Sequence, residues 1–555
     1  MFTRESLWSR LGEQDCDLLV IGGGIVGVGI ARDAARRGLK VSVVEAKDLA
    51  WGTSSRSSKL VHGGFRYLEQ YEFSLVFESV SERRTLMDLA PHLVNPLGFI
   101  FPVYRGFRHK LWKINAGMWL YDGLSLFRSP KIHRKLRPKD AAVEEPLLKT
   151  ENLEGATLYF DCSTDDARLT LETAVDAVAN GAVIATYARV TNLVTAEDGR
   201  VVGAVARNEL TGEEKTLKAH VVINATGPWT DRLLQMSASP PTGDLLRPTK
   251  GVHIVVPHAA LPLNHSVVCA HPDDGRMLFA IPWGDCTYLG TTDTDFEGDP
   301  GDVHATGDDV DYLLRASNAY FPEKTIDRSH VISTWAGVRP LISPEEETEE
   351  ESKVSREHEV RVGRDGLITI AGGKLTTYRR MAEEVVDTTT RMLELQGKVS
   401  EIPHADTAKV PLPGGNGWPE DDDHDHVASL VEDKAQGALD RRTARHLADN
   451  YGMRSLDVAD LCANRRDLAV PICDGRVEIL AQVHFAVTME MATKVSDVMI
   501  RRTQLFYRDH DQGLGGVEAV ARVMADILGW DGPRTAQEIE EYQQDVALSR
   551  KWKTT

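Results

Sequence analysis

The run DLLVIGGGIVGVGIARDAARRGLKVSVVE at residues 17–45 constrains the chain more tightly than any other stretch. It reads as an apolar strand, a glycine turn, an amphipathic helix and a second apolar strand ending in an acid. Gly22, Gly24 and Gly27 carry the G-x-G-x-x-G spacing directly after the strand at 18–21, and Glu45 closes the next strand. Gly22 permits the tight turn, Gly24 lets a pyrophosphate approach the backbone, and Gly27 lets the helix pack close to the sheet. The helix N-terminus faces the phosphate charge. Glu45 is placed to accept hydrogen bonds from a ribose hydroxyl, and an acid there disfavours a 2′-phosphate. A lone glycine fingerprint is weak, but strand, helix, second strand and terminal acid are all present here. The pattern predicts a βαβ unit that binds FAD or NAD rather than NADP.

Three features favour FAD. The fingerprint lies at the start of the chain, and a second strand-to-turn segment, AHVVINATGPWTDRLL at 219–234, ends in Ala225, Thr226 and Gly227. A third, GLITIAGGKLTTYRRMAEEVV at 366–386, has a double glycine and a helix expected to start near Lys374 and Leu375. That helix start, with Gly373 and Thr376 beside it, suits the negative charge that gathers around N1 and C2=O of a reduced flavin. One cofactor gripped by three distant segments fits the long FAD molecule better than NAD.

At 555 residues the chain has room for two or three domains. Six scattered cysteines without a C-x-x-C pair argue against zinc, iron–sulfur ligation or a disulfide framework and fit a reducing compartment. No metal site is expected; His424 and His426 sit in an acidic run, DDDHDH at 421–426, read as a solvated loop. The sequence shows no apolar signal core and no membrane-length apolar stretch, which predicts a cytoplasmic protein. The net charge of −19 disfavours nucleic acid as a partner. Between Arg105 and Lys139, however, ten Lys or Arg face one acid, Asp122, around an apolar and aromatic middle. Such a segment suits a surface resting on an anionic membrane; a partly buried helix with a basic rim is the alternative.

Residues 1–16 look like a short leader, and helical periodicity dominates 73–90. Strand signals run from about 155 to 370 (TLYFD, VVGAVA, HVVINA, GVHIVV, MLFAIPW, TYLGTT, SHVISTWAGV), as for a substrate domain inserted between nucleotide-binding segments. A turn-rich linker, VPLPGGNGWPEDDDHDH, occupies 410–426, and the pattern beyond it is helical, for example at 483–506. Cations left for a substrate cluster near glycine or turn signals: HGGFRYL (His62, Arg66, Tyr67), WAGVRPL (Arg339), VSREHEV (Arg356) and GGKLTTYR (Lys374, Thr377, Arg379). Three or four cations point to a dianionic phosphate more than to a single carboxylate.

The strings IGGGIVGVGIARDAARRGL, TSSRSSKLVHGGFRYLEQYEFSLV, NATGPW, KGVHIVVP, IPWGDCTYLGTTDTDFEGDP, GVRPL and GGKLTTYR, with KVSDVMIRRT at 494–503, resemble the FAD-dependent (aerobic, respiratory) glycerol-3-phosphate dehydrogenases over nearly the whole chain. The resemblance implies an α/β fold: an FAD-binding Rossmann-like domain of the glutathione-reductase/D-amino-acid-oxidase type, an inserted mixed-sheet substrate domain and a C-terminal helical domain. Residues 1–409 would form the oxidoreductase region, 410–426 the linker and 427–555 the helical domain. It implies that Gly22, Gly24, Gly27 and Glu45 hold the adenosine half of FAD. Thr53, Ser54, Ser57 and Ser58 would line the pyrophosphate and flavin, with Gly227, Gly373, Lys374, Leu375 and Thr376 as further cofactor contacts. Arg66, Tyr67, Arg339, Arg356, Lys374 and Thr377 match the glycerol-phosphate site. Arg339 and Lys374 would stabilise a developing alkoxide, and His62 would either accept the C2 hydroxyl proton or hold the flavin. The resemblance further implies a quinone acceptor, a homodimer, and peripheral contact with the inner face of the cell membrane through 105–139. An oxygen-using oxidase is the alternative within enzymes. The long insertion such oxidases often carry ahead of GGKLTTYR is reduced here to a short acidic loop at 344–354. A flavin-binding membrane protein without turnover is the alternative outside them. Arg56 stands where the family's TSS-x-SSK often has a small residue, either contacting phosphate or pointing to solvent.

Overall fold

In the computed structural model, which describes residues 2–65, 72–125, 130–343 and 357–554, the strand Cys16–Ile21 sits inside a largely parallel sheet. The order across it is His358–Val362, Ile368–Gly372, Glu214–Asn224, Cys16–Ile21, Val41–Val44, Val183–Ala185. The first of these pairs antiparallel and the others are parallel. Leu18–Val20 and Val221–Ile223 are buried on both faces, which is why they read as unbroken apolar runs. Helices Ile25–Arg36, Asp166–Ala179 and Tyr378–Leu395 cover one face; the antiparallel ribbon Ala188–Thr195 and Val201–Asn208 covers the other. Strand order, not strand direction, reverses beside Cys16–Ile21, whose end is level with Val44 on one side and Asn224 on the other, so a crevice opens at these carboxyl ends.

A second, ten-stranded mixed sheet holds the substrate region and five of the seven strand signals, while VVGAVA and HVVINA lie instead in Val201–Asn208 and Glu214–Asn224 of the first sheet. At one edge of the second sheet, Leu246–Pro257 and Ser333–Ile342 set Thr249 opposite Arg339 and His253 opposite Trp335. Helix Gly307–Tyr320 packs on one face, while helix Leu111–Leu124 and the C-terminal helices pack on the other. This is the expected α/β architecture with a mixed second sheet and a helical C-terminal region.

Four local expectations are corrected. Residues 1–16 are no loose leader: Thr3 caps a helix, Arg4–Arg10, that drives Leu7 into one layer of the core and Trp8 and Leu11 into the other. Trp8 Nε1 donates to Glu213 at 2.8 Å. The turn-rich stretch at 410–426 is packed rather than free, because Gly414 and Gly415 are buried and Gly414 N donates to Glu172 Oε2 at 2.9 Å. Within the DDDHDH run, Asp423 accepts from the backbones of Asp425 and His426 and starts helix His424–Lys434, so half of that acidic run is a helix terminus. The stretch at 483–506 is broken as well. Helix Leu480–Met489 ends at Glu490, whose carboxylate takes Arg168, and a π-helical turn, Asp497–Arg502, follows. No helix among the described residues is long and apolar enough to cross a membrane.

Candidate active site

The cleft begins where Cys16–Ile21 ends. Gly22 has φ +118, and a Cβ on Gly27 would overlap the Gly22 carbonyl oxygen, so the turn and the helix Ile25–Arg36 meet at a distance only glycine allows. Gly24 is the N-cap of that helix. Ser54 Oγ accepts from Ile25 N at 2.9 Å, and Thr53 Oγ1 donates to Val338 O at 2.6 Å, tying this loop to the substrate sheet. Glu45 receives the backbone N–H groups of Gly23 at 2.6 Å and Lys47 at 2.8 Å. Burial raises its pKa, and those two donors pull it back.

Three strand-to-helix corners converge on one cleft of about 580 Å³. Gly22, Gly24 and Glu45 line it from the first corner, Gly227 from the second, and Gly373, Lys374 and Leu375 from the third. Thr53, Ser54 and Ser57 line it from the serine loop. The volume falls in the range of cofactor sites. Gly227, at φ +56, faces open space and leaves the backbone bare towards a ligand. Helix Tyr378–Leu395, led by the 3-10 turn Leu375–Thr377, presents its N-terminal end to the cleft. These features fit a long dinucleotide gripped by three segments.

Other expected contacts fall elsewhere. Gly27 serves packing and does not line the cleft. Ser58 turns away, its Oγ 2.9 Å from His253 Nε2. Thr376 Oγ1 accepts from His62 N and donates to His62 O, both at 3.2 Å, so it clamps the His62 loop to the third corner rather than lining the cleft. Thr377 Oγ1 donates to Lys374 O. Lys374 reaches Ser79 Oγ at 3.5 Å from the cleft wall. Arg339 lies one residue before Pro340, which lines the cleft, but its guanidinium is engaged by Asp293 at 2.8 Å and by Thr291 and Thr292. Arg379 is withdrawn as a substrate cation: Glu82 holds it with bonds of 2.9 and 2.6 Å, and Glu383 with a third. Arg66, Tyr67 and Arg356 lie outside the described residues.

Sequence reasoning passed over two groups. Trp51 and Trp229 stand together on the cleft with ring centroids 5.9 Å apart; the tryptophan of NATGPW was the available signal. His253, in KGVHIVVP, stacks on Trp335 at 4.7 Å and braces Ser58. Burial, reinforced by the positive charges of Arg339 and Lys59, holds its pKa well below the usual value, so the imidazole is neutral. Lys59 is itself buried against Asp166 at 2.7 Å, which also receives Ser57. Arg56 lies over the Trp51 ring, 5.0 Å from the centroid, and borders a second cavity.

Comparison with known proteins agrees with this geometry. Residues 17–379 match the family described as FAD dependent oxidoreductase, and residues 405–535 match the C-terminal domain of alpha-glycerophosphate oxidase. The aerobic glycerol-3-phosphate dehydrogenase of Staphylococcus aureus (strain USA300) is 35% identical over 547 residues, 98% of this chain and 97% of that protein. The glycerol-3-phosphate dehydrogenase of Bacillus halodurans, solved with FAD, superposes with a TM-score of 0.81 and 34% identity, covering 99% of this chain and 98% of that one. The L-alpha-glycerophosphate oxidase of Mycoplasma pneumoniae shares the fold at a TM-score of 0.54 and 19% identity over 72% of this chain and 99% of that one.

Proposed function

The chain belongs to the FAD-dependent glycerol-3-phosphate dehydrogenase family, and on that premise we propose how its own residues oxidise sn-glycerol 3-phosphate to dihydroxyacetone phosphate and pass the electrons to a quinone. The observation that carries the reading is the convergence of three distant corners on one cleft whose lining includes Lys374. FAD, when bound, supplies the hydride acceptor for C2. Gly22, Gly24 and Glu45 hold the adenosine end, and Thr53, Ser54 and Ser57 meet the middle of the cofactor. Ser58 and Thr376 act one step back, through His253 and His62. Arg339 and Lys374 anchor the substrate phosphate and stabilise the developing alkoxide, with Arg66, Tyr67, Arg356 and Thr377 as further partners. Two imidazoles, those of His62 and His253, are candidates for receiving the C2 hydroxyl proton; burial keeps His253 neutral but makes it a weak base in the free protein.

The same reading treats 1–409 as the oxidoreductase region and 427–555 as a helical domain, joined through the packed seam at 410–426. It also puts the basic segment 105–139 against the membrane that holds the quinone, in a homodimer at its cytoplasmic face. Helix Leu111–Leu124 supports this, because Trp112 and Trp119 are 68% and 58% exposed.

The test is the visible spectrum of the purified protein under anaerobic conditions. Addition of sn-glycerol 3-phosphate is expected to bleach the flavin band within the turnover time, and a quinone is expected to restore it faster than air does. Restoration by air alone would make the protein an oxidase. A band that ignores the substrate would overturn the substrate assignment. Exchanging Lys374 for Met is expected to lower kcat/KM, expressed per bound FAD, by roughly 10²–10³-fold.

A further inference from the structure

A second cavity, of about 130 Å³, lies where the serine loop, the substrate sheet and the C-terminal helices meet. It shares Trp51 and Gly301 with the flavin cleft as a common wall. Arg56 lines it, and among the described residues its guanidinium has neither a hydrogen-bond acceptor nor an ion-pair partner. The ring of Trp51, 5.0 Å away, meets one face of the guanidinium and leaves its N–H donors unused. The neighbouring cation, Arg501, is committed to Asp48 and Asp497. Asp545, the acid of the cavity, is held by Ser496 Oγ at 2.6 Å.

The Arg56 guanidinium is half-buried, and its planar fork of donors, not spent on hydrogen bonds among the described residues, matches an oxyanion. The volume exceeds the share of one water, about 30 Å³, several-fold, which is room for a phosphate or carboxylate group carrying a few further atoms. We propose that this second cavity is a binding site for a small free oxyanion, a phosphate or carboxylate group, held by Arg56 beside the flavin cleft. Asp545 limits its affinity by like-charge repulsion and favours ligands that bring a donor, such as a singly protonated phosphate.

Titration calorimetry of the FAD-loaded protein with inorganic phosphate at constant ionic strength tests this without turnover. Phosphate binding in the catalytic cleft would be common to all variants, so the Arg56 site is the difference between them. Arg56→Gln is expected to lose one phosphate equivalent or to weaken it about tenfold or more. Asp545→Asn is expected to move that same equivalent the opposite way, to tighter binding, which a folding defect does not imitate. Phosphatidylglycerol vesicles titrated in parallel distinguish a lipid headgroup from a free anion, and their binding is expected to be independent of Arg56. Equal stoichiometry and affinity in the wild type and both variants would overturn the proposal. So would an Arg56-dependent response to vesicles alone. If the catalytic cleft takes no phosphate, the counts become one and zero instead of two and one, and the two readings fail separately.

Discussion

Gly27 has no side chain because there is no room for one, since its Cβ would overlap the Gly22 carbonyl oxygen. Gly27→Ala is therefore expected to force the helix off the turn and give protein with less than about a tenth of its flavin, read from the ratio of visible to ultraviolet absorbance. At Gly24 the nearest obstacle is the Ser54 hydroxyl, 3.1 Å from a built Cβ, which can rotate, so Gly24→Ala is expected to be milder. A different residue governs acid sensitivity. His92 is buried where Gly414 and Gly452 close over it, and burial together with Arg168 and Arg454 pushes its pKa down to about 3. In the unfolded chain it takes up a proton near pH 6.5, and in the folded chain only near pH 3. The unfolded state thus binds more protons in that window, and stability falls as pH drops through it, by roughly 3 kcal/mol at two units below 6.5. His92→Asn is expected to flatten the decline of Tm between pH 6.5 and 4.5. The glycines were legible in the sequence because a tight turn dictates them. The engagement of Arg379 was not, because its partner Glu82 lies 297 residues earlier and nothing local marks the pair.

Between elements, buried ion pairs fasten the C-terminal helices to the flavin-binding sheet. Arg168, on helix Asp166–Ala179, grips Glu490 with bonds of 2.8 and 2.9 Å, and Arg454 adds a contact to Glu490 at 3.1 Å; Arg168 and Glu490 are fully buried. Those two arginines hold the Glu490 carboxyl at a pKa of about 2 against the cost of burial. Removing one partner strands the others, so Glu490→Ala is expected to cost about 3–5 kcal/mol in urea unfolding. Arg501 and Arg502 make a second fastening on Asp48, three residues beyond Glu45. The strands were the most legible elements, since a sheet covered on both faces leaves an uninterrupted apolar signature. The N-terminal helix and the seam at 410–426 are not legible in the sequence because their composition is that of loops, and only partners far along the chain bury them.

Across the whole molecule, charge and exposed apolar surface are unevenly distributed. Trp112, Trp119, Leu120 and Ile132 are exposed within a segment carrying ten basic residues in an otherwise acidic chain. Trp112→Ser together with Trp119→Ser is expected to weaken partition onto anionic vesicles about tenfold or more in a sedimentation assay, leaving anaerobic flavin bleaching intact. Added salt is expected to weaken it further. The order of strands in the first sheet bears on how such a chain is made. Glu214–Asn224 joins Cys16–Ile21 on one side, but its other edge is completed only by Ile368–Gly372. During translation the nucleotide fingerprint leaves the ribosome some 320 residues or more before the strand that completes its platform. Until residue 372 has emerged, an apolar strand edge stands open beside an unfinished substrate sheet, a surface for chaperones to shield. A message truncated before that point would yield an aggregating nascent chain in place of a smaller flavoprotein.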